Sequence, residues 1–575
     1  MGSFKGFSRR TRDASHNAGY LGDDRRRAMY NQRIGRMRKS EYPMLKGVSV
    51  SNLPFHSKCL RPSGLTYLDH GGTTLAPKSL LTSFSNEMQR TLLANPHSDA
   101  SDPSTTAIMV DSTRLEVLKM FNADPAYFDV VFTANATAAI KLVAEGFSGN
   151  EGGFDYVYHR NSHTSLVGVR ELARSSHCLS SNAEVADWFA SVNGSFLTKG
   201  HAQRPLLLAY PAQSNMNGER LPLDWPRKLR LSTNHPEAYT LLDVAALVST
   251  TPLDLSNHLF APDFISLSFY KIFGFPDLGA LIVRKDAGHV FDHRRYFGGG
   301  TTEMTTCIGD VWVARKESSL HSRLEDGTIA FRSILALKLA METHHELFGG
   351  LEEVSKHTSW LAKSLYDHLV SSKHLNGMPV YRVYKSVDSS YEDSNTQGAT
   401  LAFNVCKSDG SYIGPWHVGS FLRKRAIHVR TGTVCNPAGI SCALGLDAGW
   451  LRNAFEKGYR CNTELDIVEG IPVGLVRITF GAMNTYEDVE KLVSVLSQYA
   501  LQEQDNLQRM DTSYTEKKDS VMSYRENNAS IRAPKVPSEG TDSGSNEPKT
   551  HVFTTVQKDW FRFRRLLELC YNKQV

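Results

Sequence analysis

The sequence predicts an α/β fold: a mainly parallel sheet flanked by helices, followed by a smaller α+β unit. The first observation is that short apolar runs alternate with helical stretches from about residue 65 to 345, as strands and helices do in α/β units. The second is a change of pattern at about residue 346, after which residues 346–501 look like a smaller mixed unit. A chain of 575 residues is long enough to hold both.

Each element has its own signal. In the first unit, helices are expected over Lys78–Leu93 and Ser104–Phe121, the second opened by Asp102-Pro103, a cap and a first-turn proline. The strand candidates there are Asp129–Thr133, Asp155–Tyr158, Leu206–Tyr210, Thr240–Asp243, Phe264–Ser268 and Ala280–Val283. Those of the second unit are Val380–Tyr384, Thr400–Val405 and Val476–Phe480. A closing helix is expected over Tyr486–Leu501, because its apolar residues recur at helical spacing.

The two ends of the chain differ from this body. Residues 1–64 are rich in arginine and lack the hydrophobic segment of a secretory signal, so we expect a loosely ordered basic arm. Residues 502–575 begin with a long stretch dominated by Ser, Asn, Glu and Lys, which has little to bury. That composition predicts a mostly disordered tail, with a short amphipathic helix from Lys558 onward.

Composition excludes several classes of protein. No run of about 18 apolar residues occurs, so we expect neither a membrane span nor a membrane partner. The net charge of +5 is small for this length and does not indicate nucleic-acid binding. Eight cysteines without a CxxC pair argue against a metal site and a disulfide framework. Free cysteines are typical of a reducing compartment, and we expect a cytoplasmic protein.

The most informative residue is Lys271, which follows the apolar run Phe264–Ser268 and precedes a glycine turn. A lysine at the end of a buried strand is costly unless its amine is used, and the use that fits is a Schiff base to pyridoxal 5'-phosphate. Upstream, another apolar run ends in Asp243, whose carboxylate would keep the pyridine nitrogen of that cofactor protonated. An acid and an amine on neighbouring strand ends therefore predict a site for pyridoxal phosphate.

Three further segments could complete such a site. Small residues and the hydroxyl of Thr137 open a helix whose N-terminal N–H groups suit a phosphate, although an ordinary helix cap gives the same pattern. His163 begins a helix after a strand, where it could lie over the cofactor ring and shuttle protons, or only cap the helix. Asn215 follows another strand and could bond a ring oxygen, or be a turn residue.

The second unit adds an arginine and a cysteine. Arg430 follows a short β run, and its planar guanidinium suits a substrate carboxylate. Cys435 lies five residues on, in a loop of Gly, Asn and Pro that gives a thiol the exposure a nucleophile needs, although most cysteines are small buried hydrophobes. The glycine turn of residues 296–301 could also approach a phosphate.

With these residues identified, the chain resembles class V pyridoxal-phosphate-dependent transferases. More narrowly, it resembles the N-terminal, cysteine-desulfurase-like domain of eukaryotic molybdenum cofactor sulfurases. The matching strings occur in family order and include residues 67–75 (YLDHGGTTL), 132–143 (FTANATAAIKLV), 161–170 (NSHTSLVGVR), 211–223 (PAQSNMNGERLPL), 241–256 (LLDVAALVSTTPLDLS), 268–284 (SFYKIFGFPDLGALIVR), 296–301 (YFGGGT), 429–440 (VRTGTVCNPAGI) and 476–492 (VRITFGAMNTYEDVEKL).

This resemblance implies fold type I of the pyridoxal-phosphate enzymes, with a mainly parallel seven-stranded sheet. It assigns catalysis to Lys271, Cys435 and His163, and the binding of the substrate carboxylate to Arg430. It assigns cofactor binding to Lys271, Asp243, His163, Asn215, Ala136, Thr137, Ser268, Tyr270 and Thr301. A second subunit often lends the glycine loop around Thr301 in this fold, which implies a homodimer.

The implied function is a cysteine desulfurase that forms a persulfide on Cys435, releases alanine from L-cysteine and passes the sulfur to the molybdenum cofactor or a carrier protein. Two alternatives stay open: another class V aminotransferase or lyase, and a non-catalytic partner protein. The chain departs from the family pattern in three places. Val48–Leu65 reads as an insertion, Thr433 stands where a first cysteine is common, and nothing after residue 501 resembles a cofactor-binding domain.

Overall fold

The structure is a computed structural model, and it describes residues 13–46, 64–96, 104–190, 204–231, 237–461 and 463–499, with side chains from residue 24 onward. Three predictions fall outside these ranges: the cap Asp102-Pro103, most of the insertion Val48–Leu65, and the tail of residues 502–575.

A seven-stranded sheet forms the centre of the fold, in the order β2-β8-β7-β6-β5-β3-β4. Strands β4, β3, β5, β6 and β7 run parallel, and β8 is antiparallel to both of its neighbours. The mainly parallel sheet that the sequence predicted is therefore confirmed. Its strands are β2 (Phe128–Thr133), β3 (Asp155–His159), β4 (Ser175–Leu179), β5 (Leu206–Pro211), β6 (Ala238–Asp243), β7 (Phe264–Ser268) and β8 (Gly279–Arg284).

Helices cover both faces of this sheet, because both faces are apolar. Along β5, Leu206 and Leu208 belong to one buried cluster, while Leu207 and Ala209 belong to another on the opposite face. Successive strand residues point to opposite faces, so a strand buried on both sides appears in sequence as a continuous apolar run. The helices of this region are α2 (Lys78–Arg90), α3 (Thr105–Met120), α4 (Ala136–Ser148), α5 (Thr164–Val167), α6 (Asn182–Ala190), α7 (Trp225–Leu231), α8 (Tyr270–Phe273), α9 (Leu320–Leu324) and α10 (Phe331–Phe348).

A second sheet, in the order β11-β12-β18-β15, forms the core of the smaller unit. Its strands are β11 (Tyr381–Val383), β12 (Thr400–Cys406), β15 (Arg430–Gly432) and β18 (Leu475–Thr479), with β13 (Tyr412–Ile413) beside β12. The accompanying helices are α11 (Leu351–Ser371), α12 (Pro415–Lys424), α13 (Pro437–Leu444), α14 (Ala448–Glu456) and α15 (486–499).

Three short two-stranded pairs complete the strands of the described residues. Strand β1 (Thr66–Tyr67) pairs with β14 (Ile427–His428). The chain therefore contacts the smaller unit at β1, before it enters the large sheet at β2. A hairpin joins β9 (Thr302–Thr306) to β10 (Trp312–Arg315), and another joins β16 (Ile467–Val468) to β17 (Ile471–Pro472).

The N-terminal arm differs from the prediction. Residues Asp13–Glu41 form helix α1, and Ile34 is fully buried in a cluster with Val354 and Met483. The guanidinium of Arg38 also makes a two-pronged ion pair with Asp488 of α15, with an Nη2–Oδ1 distance of 3.0 Å. The expectation of a loosely ordered arm is therefore wrong for the described part, because an apolar stripe docks this arginine-rich helix on the body.

None of the helices in the described ranges is long and apolar enough to cross a bilayer.

Candidate active site

The candidate site lies at the carboxyl ends of β5, β6 and β7. Asp243 is the last residue of β6, in register with Pro211 of β5 and Ser266 of β7. Parallel strands present their carboxyl ends at one edge, which is where open α/β sheets bind ligands. Asp243 thus lies at the strand end where the sequence predicted the acid.

Lys271 lies three residues past the end of β7, in the single turn of α8 rather than on the strand. Burial lowers the pKa of Lys271 from its ordinary value, and the positive charge of Arg477 lowers it further. The negative charges of Asp243, Asp69 and Cys435 oppose this shift in the pKa of Lys271. A lowered pKa keeps more of the amine neutral near neutral pH, as a nucleophile or a base requires.

Asp243 acts on two predicted site residues at once. It is buried, and its Oδ1 accepts a hydrogen bond from the N–H of Ala245 at 3.0 Å. Its charge raises the pKa of both Lys271 and His163 against the effect of burial. The carboxylate therefore lies near both the amine and the imidazole.

His163 caps α5 and faces the same space. Its Nδ1 accepts the N–H of Ser165 at 3.1 Å and lies 2.9 Å from the Ser165 hydroxyl. Burial lowers the pKa of His163, and the charge of Lys271 adds to that effect. Because Nδ1 accepts a backbone hydrogen, the neutral ring carries its proton on Nε2. Capping and a position at the site are therefore compatible, although the sequence presented them as alternatives.

The N-terminus of α4 forms a second wall. The N–H of Ala136 donates to the hydroxyl of Ser268 at 2.9 Å, so the helix start is joined to the end of β7. The exposed hydroxyl of Thr137 lies 2.8 Å from that of Ser165. Gly279 of β8 permits this close approach, because a Cβ there would lie 2.5 Å from the Cα of Asn135. Hydroxyls gathered at a helix N-terminus fit the phosphate group that the sequence predicted here.

Asn215 connects the sheet edge to the smaller unit. Its Nδ2 donates to the carbonyl of Val434 at 2.7 Å, and its Oδ1 accepts from the amide of Asn436 at 3.0 Å. Both partners flank Cys435. Asn215 is therefore more than a turn residue, because its side chain joins the sheet edge to the Cys435 loop. Its bond to a cofactor oxygen stays a prediction.

Cys435 is brought to the site on an exposed loop. Its carbonyl accepts the N–H of Thr164, the residue after His163, at 3.0 Å. Cys435 also raises the pKa of Lys271 against the effect of burial, so the loop lies near the amine although the two are far apart in sequence. The thiol itself is exposed, as predicted from the composition of the loop.

Two arginines share one face of the second sheet. Arg430 is exposed, and directly opposite it on β18 lies Arg477, which is buried. Arg477 donates from Nη2 to Asp69 at 2.7 Å and from Nη1 to the carbonyl of Asn215 at 2.9 Å. Its charge lowers the pKa of both Lys271 and His163. Arg477 was not predicted as a site residue from the sequence, although it lies in the matching string of residues 476–492.

The remaining predicted residues are less closely tied to this pocket. Tyr270 is partly buried at the start of α8, and its carbonyl accepts the N–H of Thr74 at 3.2 Å. Thr301 is buried in a turn, where its hydroxyl donates to Gly298 at 2.8 Å. Their roles toward a cofactor stay predictions. Within the described ranges, no cluster of His, Cys, Asp and Glu side chains could hold a metal ion.

Taken together, the residues fit pyridoxal phosphate. An amine with a lowered pKa, a buried acid and a hydroxyl-lined helix N-terminus are the donor set that this cofactor needs. The buried Nε of Arg477 has no hydrogen-bond partner within the described part of the chain, which leaves this donor available to a ligand.

Comparison with known proteins agrees with this chemistry. Residues 66–492 match the family model of class-V aminotransferases. The molybdenum cofactor sulfurase of Aspergillus niger is 46% identical over 486 residues, covering 84% of this chain and 56% of the relative. That of Neosartorya fischeri is 50% identical over 438 residues, covering 76% of this chain and 51% of the relative. The chain thus spans about half the length of these curated relatives.

Solved structures with the same fold include cysteine desulfurases. The apo enzyme of Thermococcus onnurineus superposes with a TM-score of 0.58 at 20% identity, covering 76% of this chain and 94% of that one. The desulfurase CsdA of Escherichia coli superposes with a TM-score of 0.56 at 18% identity, covering 76% of this chain and 95% of that one. These likenesses establish the fold of type I pyridoxal-phosphate enzymes, and the family match goes further: this chain belongs to the class-V aminotransferase family.

Proposed function

We propose that this protein is a pyridoxal-phosphate-dependent L-cysteine desulfurase of the molybdenum cofactor sulfurase type. The observation that carries the proposal is the docking of the Cys435 loop on the sheet edge. The carbonyl of Cys435 accepts the N–H of Thr164 at 3.0 Å, and the carbonyl before it, that of Val434, accepts from Asn215 at 2.7 Å. An amine and an acid alone would suit many enzymes of this family. A thiol on an exposed loop beside them favours the removal of sulfur.

The cofactor would be held by Lys271 and Asp243, with His163 and Asn215 beside the ring and Ala136, Thr137, Ser268, Tyr270 and Thr301 toward the phosphate. When bound, pyridoxal phosphate draws electrons away from the Cα of an amino-acid substrate. Lys271, kept partly neutral by its lowered pKa, takes the proton from Cα. His163 offers a proton from Nε2, and Arg477 and Arg430 hold the substrate carboxylate.

Sulfur then moves to the chain. The thiolate of Cys435 attacks the sulfur of cysteine, a sulfur–sulfur bond forms, and the carbon–sulfur bond breaks with its electron pair left on the carbon skeleton. Protonation of that carbon gives alanine. The balance is one L-cysteine and one Cys435 thiol in, one alanine and one Cys435 persulfide out, with no external oxidant.

The direct test is incubation of the pyridoxal-phosphate-loaded protein with L-cysteine. We expect alanine and a persulfide on Cys435, measured by amino-acid analysis and by mass spectrometry of the peptide. A panel of other amino acids serves as the control. Amino transfer to a keto acid, or lyase products without any Cys435 persulfide, would overturn the proposal in favour of another class-V reaction.

We further propose a cytoplasmic homodimer that passes sulfur to the molybdenum cofactor or to a carrier protein. The hairpin β9–β10 supports the dimer, because it exposes Met304, Ile308, Val311 and Trp312 at its tip and along its strands. Light scattering should give twice the chain mass, and Ile308→Glu with Val311→Glu should shift it toward one chain. A monomeric wild-type protein would contradict the dimer.

A further inference from the structure

The loop that carries Cys435 has an unusual backbone. Val434 has φ +46° and Cys435 has φ +56°, both in the left-handed region. That region is costly for any residue with a Cβ, and most of all for a β-branched one such as valine. Two such residues in succession persist only where the surroundings hold them.

Asn436 supplies much of that hold. Its side chain is fully buried, and its Oδ1 caps α13 by accepting the N–H of Gly439 at 3.0 Å. Its Nδ2 donates to the carbonyl of Asn161 at 3.0 Å and to the Oδ1 of Asn215 at 3.0 Å. One amide thus performs two separable tasks: its oxygen caps the helix, and its nitrogen grips the sheet edge.

The partners of that nitrogen are themselves fixed. Asn161 donates from its own side chain to Glu219 at 2.9 Å, and Asn215 returns a hydrogen bond to Val434. Asn161 lies in the loop after β3 and Asn215 in the loop after β5, so both lie at the edge of the large sheet, whereas Cys435 belongs to the smaller unit. The amide contacts therefore hold the loop against the edge where Lys271 lies.

We propose that Asn436 is a positioning residue, whose Nδ2 holds the Cys435 loop closed over the pocket so that the thiol meets the substrate sulfur. This inference rests on the proposed desulfurase function for its chemical meaning. Whether the loop is closed does not depend on that function, and it can be measured separately. The reporter is the N–H of Thr164, which is hydrogen-bonded to Cys435.

Asn436→Ser separates the two tasks, because a serine hydroxyl still caps α13 but cannot bridge Asn161 and Asn215. In the pyridoxal-phosphate-loaded protein, hydrogen exchange at the Thr164 amide should be about tenfold faster than in wild type, the equivalent of about 1.4 kcal/mol. Asp447→Ala is the matched control, since Asp447 caps the next helix by accepting the N–H of Trp450 at 2.7 Å. It should leave exchange at Thr164 unchanged.

The activity arm separates positioning from binding. In Asn436→Ser, the single-turnover rate of Cys435 persulfide formation should fall about tenfold, while the half-saturating concentration of L-cysteine stays as in wild type. Asn436→Asp keeps the capping oxygen and also lacks Nδ2, so it provides a second test if the serine variant does not fold. Wild-type exchange at Thr164 in either folded variant overturns the inference. A wild-type protein that forms no persulfide would overturn the proposed function. Hydrogen exchange at the Thr164 amide would still decide whether Asn436 holds the Cys435 loop closed.

Discussion

The sheet edge and the Cys435 loop differ in burial and in backbone conformation, as their proposed roles require. Lys271, Asp243 and His163 lie at the ends of strands or just beyond them, where burial shifts the pKa of both the lysine and the histidine. Cys435 is exposed on a loop with a left-handed backbone, held by amide side chains. Groups that need a tuned pKa benefit from a buried, packed frame. A side chain that transfers an atom to another molecule must be exposed to that molecule.

The largest effect should come from the sheet edge. Lys271→Ala removes the amine that we propose takes the Cα proton, so alanine formation should fall by about 10³-fold or more. The measurement is alanine released per protein chain, with circular dichroism as the control for folding. Activity within tenfold of wild type would show that the amine at this edge is not the base.

The loop should behave differently. Cys435→Ser should bind pyridoxal phosphate as wild type does but form no persulfide, because a hydroxyl cannot accept sulfur in this way. Cofactor binding is read from visible absorbance and the persulfide from mass spectrometry. Cys442→Ser is the matched control on the neighbouring helix α13, and it should keep the Cys435 persulfide. A persulfide yield from Cys435→Ser equal to wild type would assign the acceptor thiol elsewhere.

The two arginines sharpen the comparison, because one is buried and the other exposed. Arg477→Gln should raise the KM for L-cysteine about a hundredfold, or roughly 3 kcal/mol, since it removes a buried charged donor and leaves Asp69 without its partner. Arg430→Gln should raise KM by only about tenfold, because solvent competes for an exposed guanidinium. Steady-state kinetics with both variants decide the order, and a larger effect at Arg430 would reverse it.

The last prediction concerns stability rather than activity, and it involves the packing behind the amine. Burial lowers the pKa of His344 to about 4, and its ring packs edge-on against Phe273 of α8 at 5.4 Å between centroids. The unfolded chain therefore binds a proton more readily, so stability is lost as pH falls from about 6.5 to about 4, by roughly 3 kcal/mol for this histidine.

His344→Leu should flatten this part of the pH dependence, as measured by urea unfolding at several pH values. The exposed neighbour His345 also lowers the pKa of His344 through its charge, so His345→Leu should flatten the slope less than His344→Leu does. A wild-type slope in His344→Leu would mean that this ring does not gain a proton on unfolding in that range.

Much of this arrangement was predictable, and the exceptions have physical reasons. Strands buried on both faces appear as apolar runs, so β5, β6 and β7 were found together with the acid and the amine that follow them. Strand β4 was missed because it reads Ser-Ser-His-Cys-Leu and is largely polar on the edge of the sheet. Helix α1 was missed because its apolar stripe of Tyr30, Ile34 and Met37 is narrow and lies among many arginines. The stripe is recognisable only once the residues that it packs against are known.

Site residues follow the same logic. Arg477 looks like an ordinary strand residue in sequence, and its importance comes from Asp69 and Asn215, which lie far away along the chain. The contacts of Asn436 could not be predicted either, since an asparagine before a proline mainly signals a turn or a helix start. Long-range pairing is the kind of information that local patterns do not carry.

The pairing of Arg477 with Asp69 also has a consequence for synthesis on the ribosome. The sheet from β2 to β8 is complete once residue 284 has emerged, and domains tend to fold in order from the N-terminus. Arg477 arrives much later, on β18, the last strand of the described residues. If Arg477 binds the substrate carboxylate as proposed, a nascent chain would have its lysine and its acid well before it could hold an amino acid through this arginine.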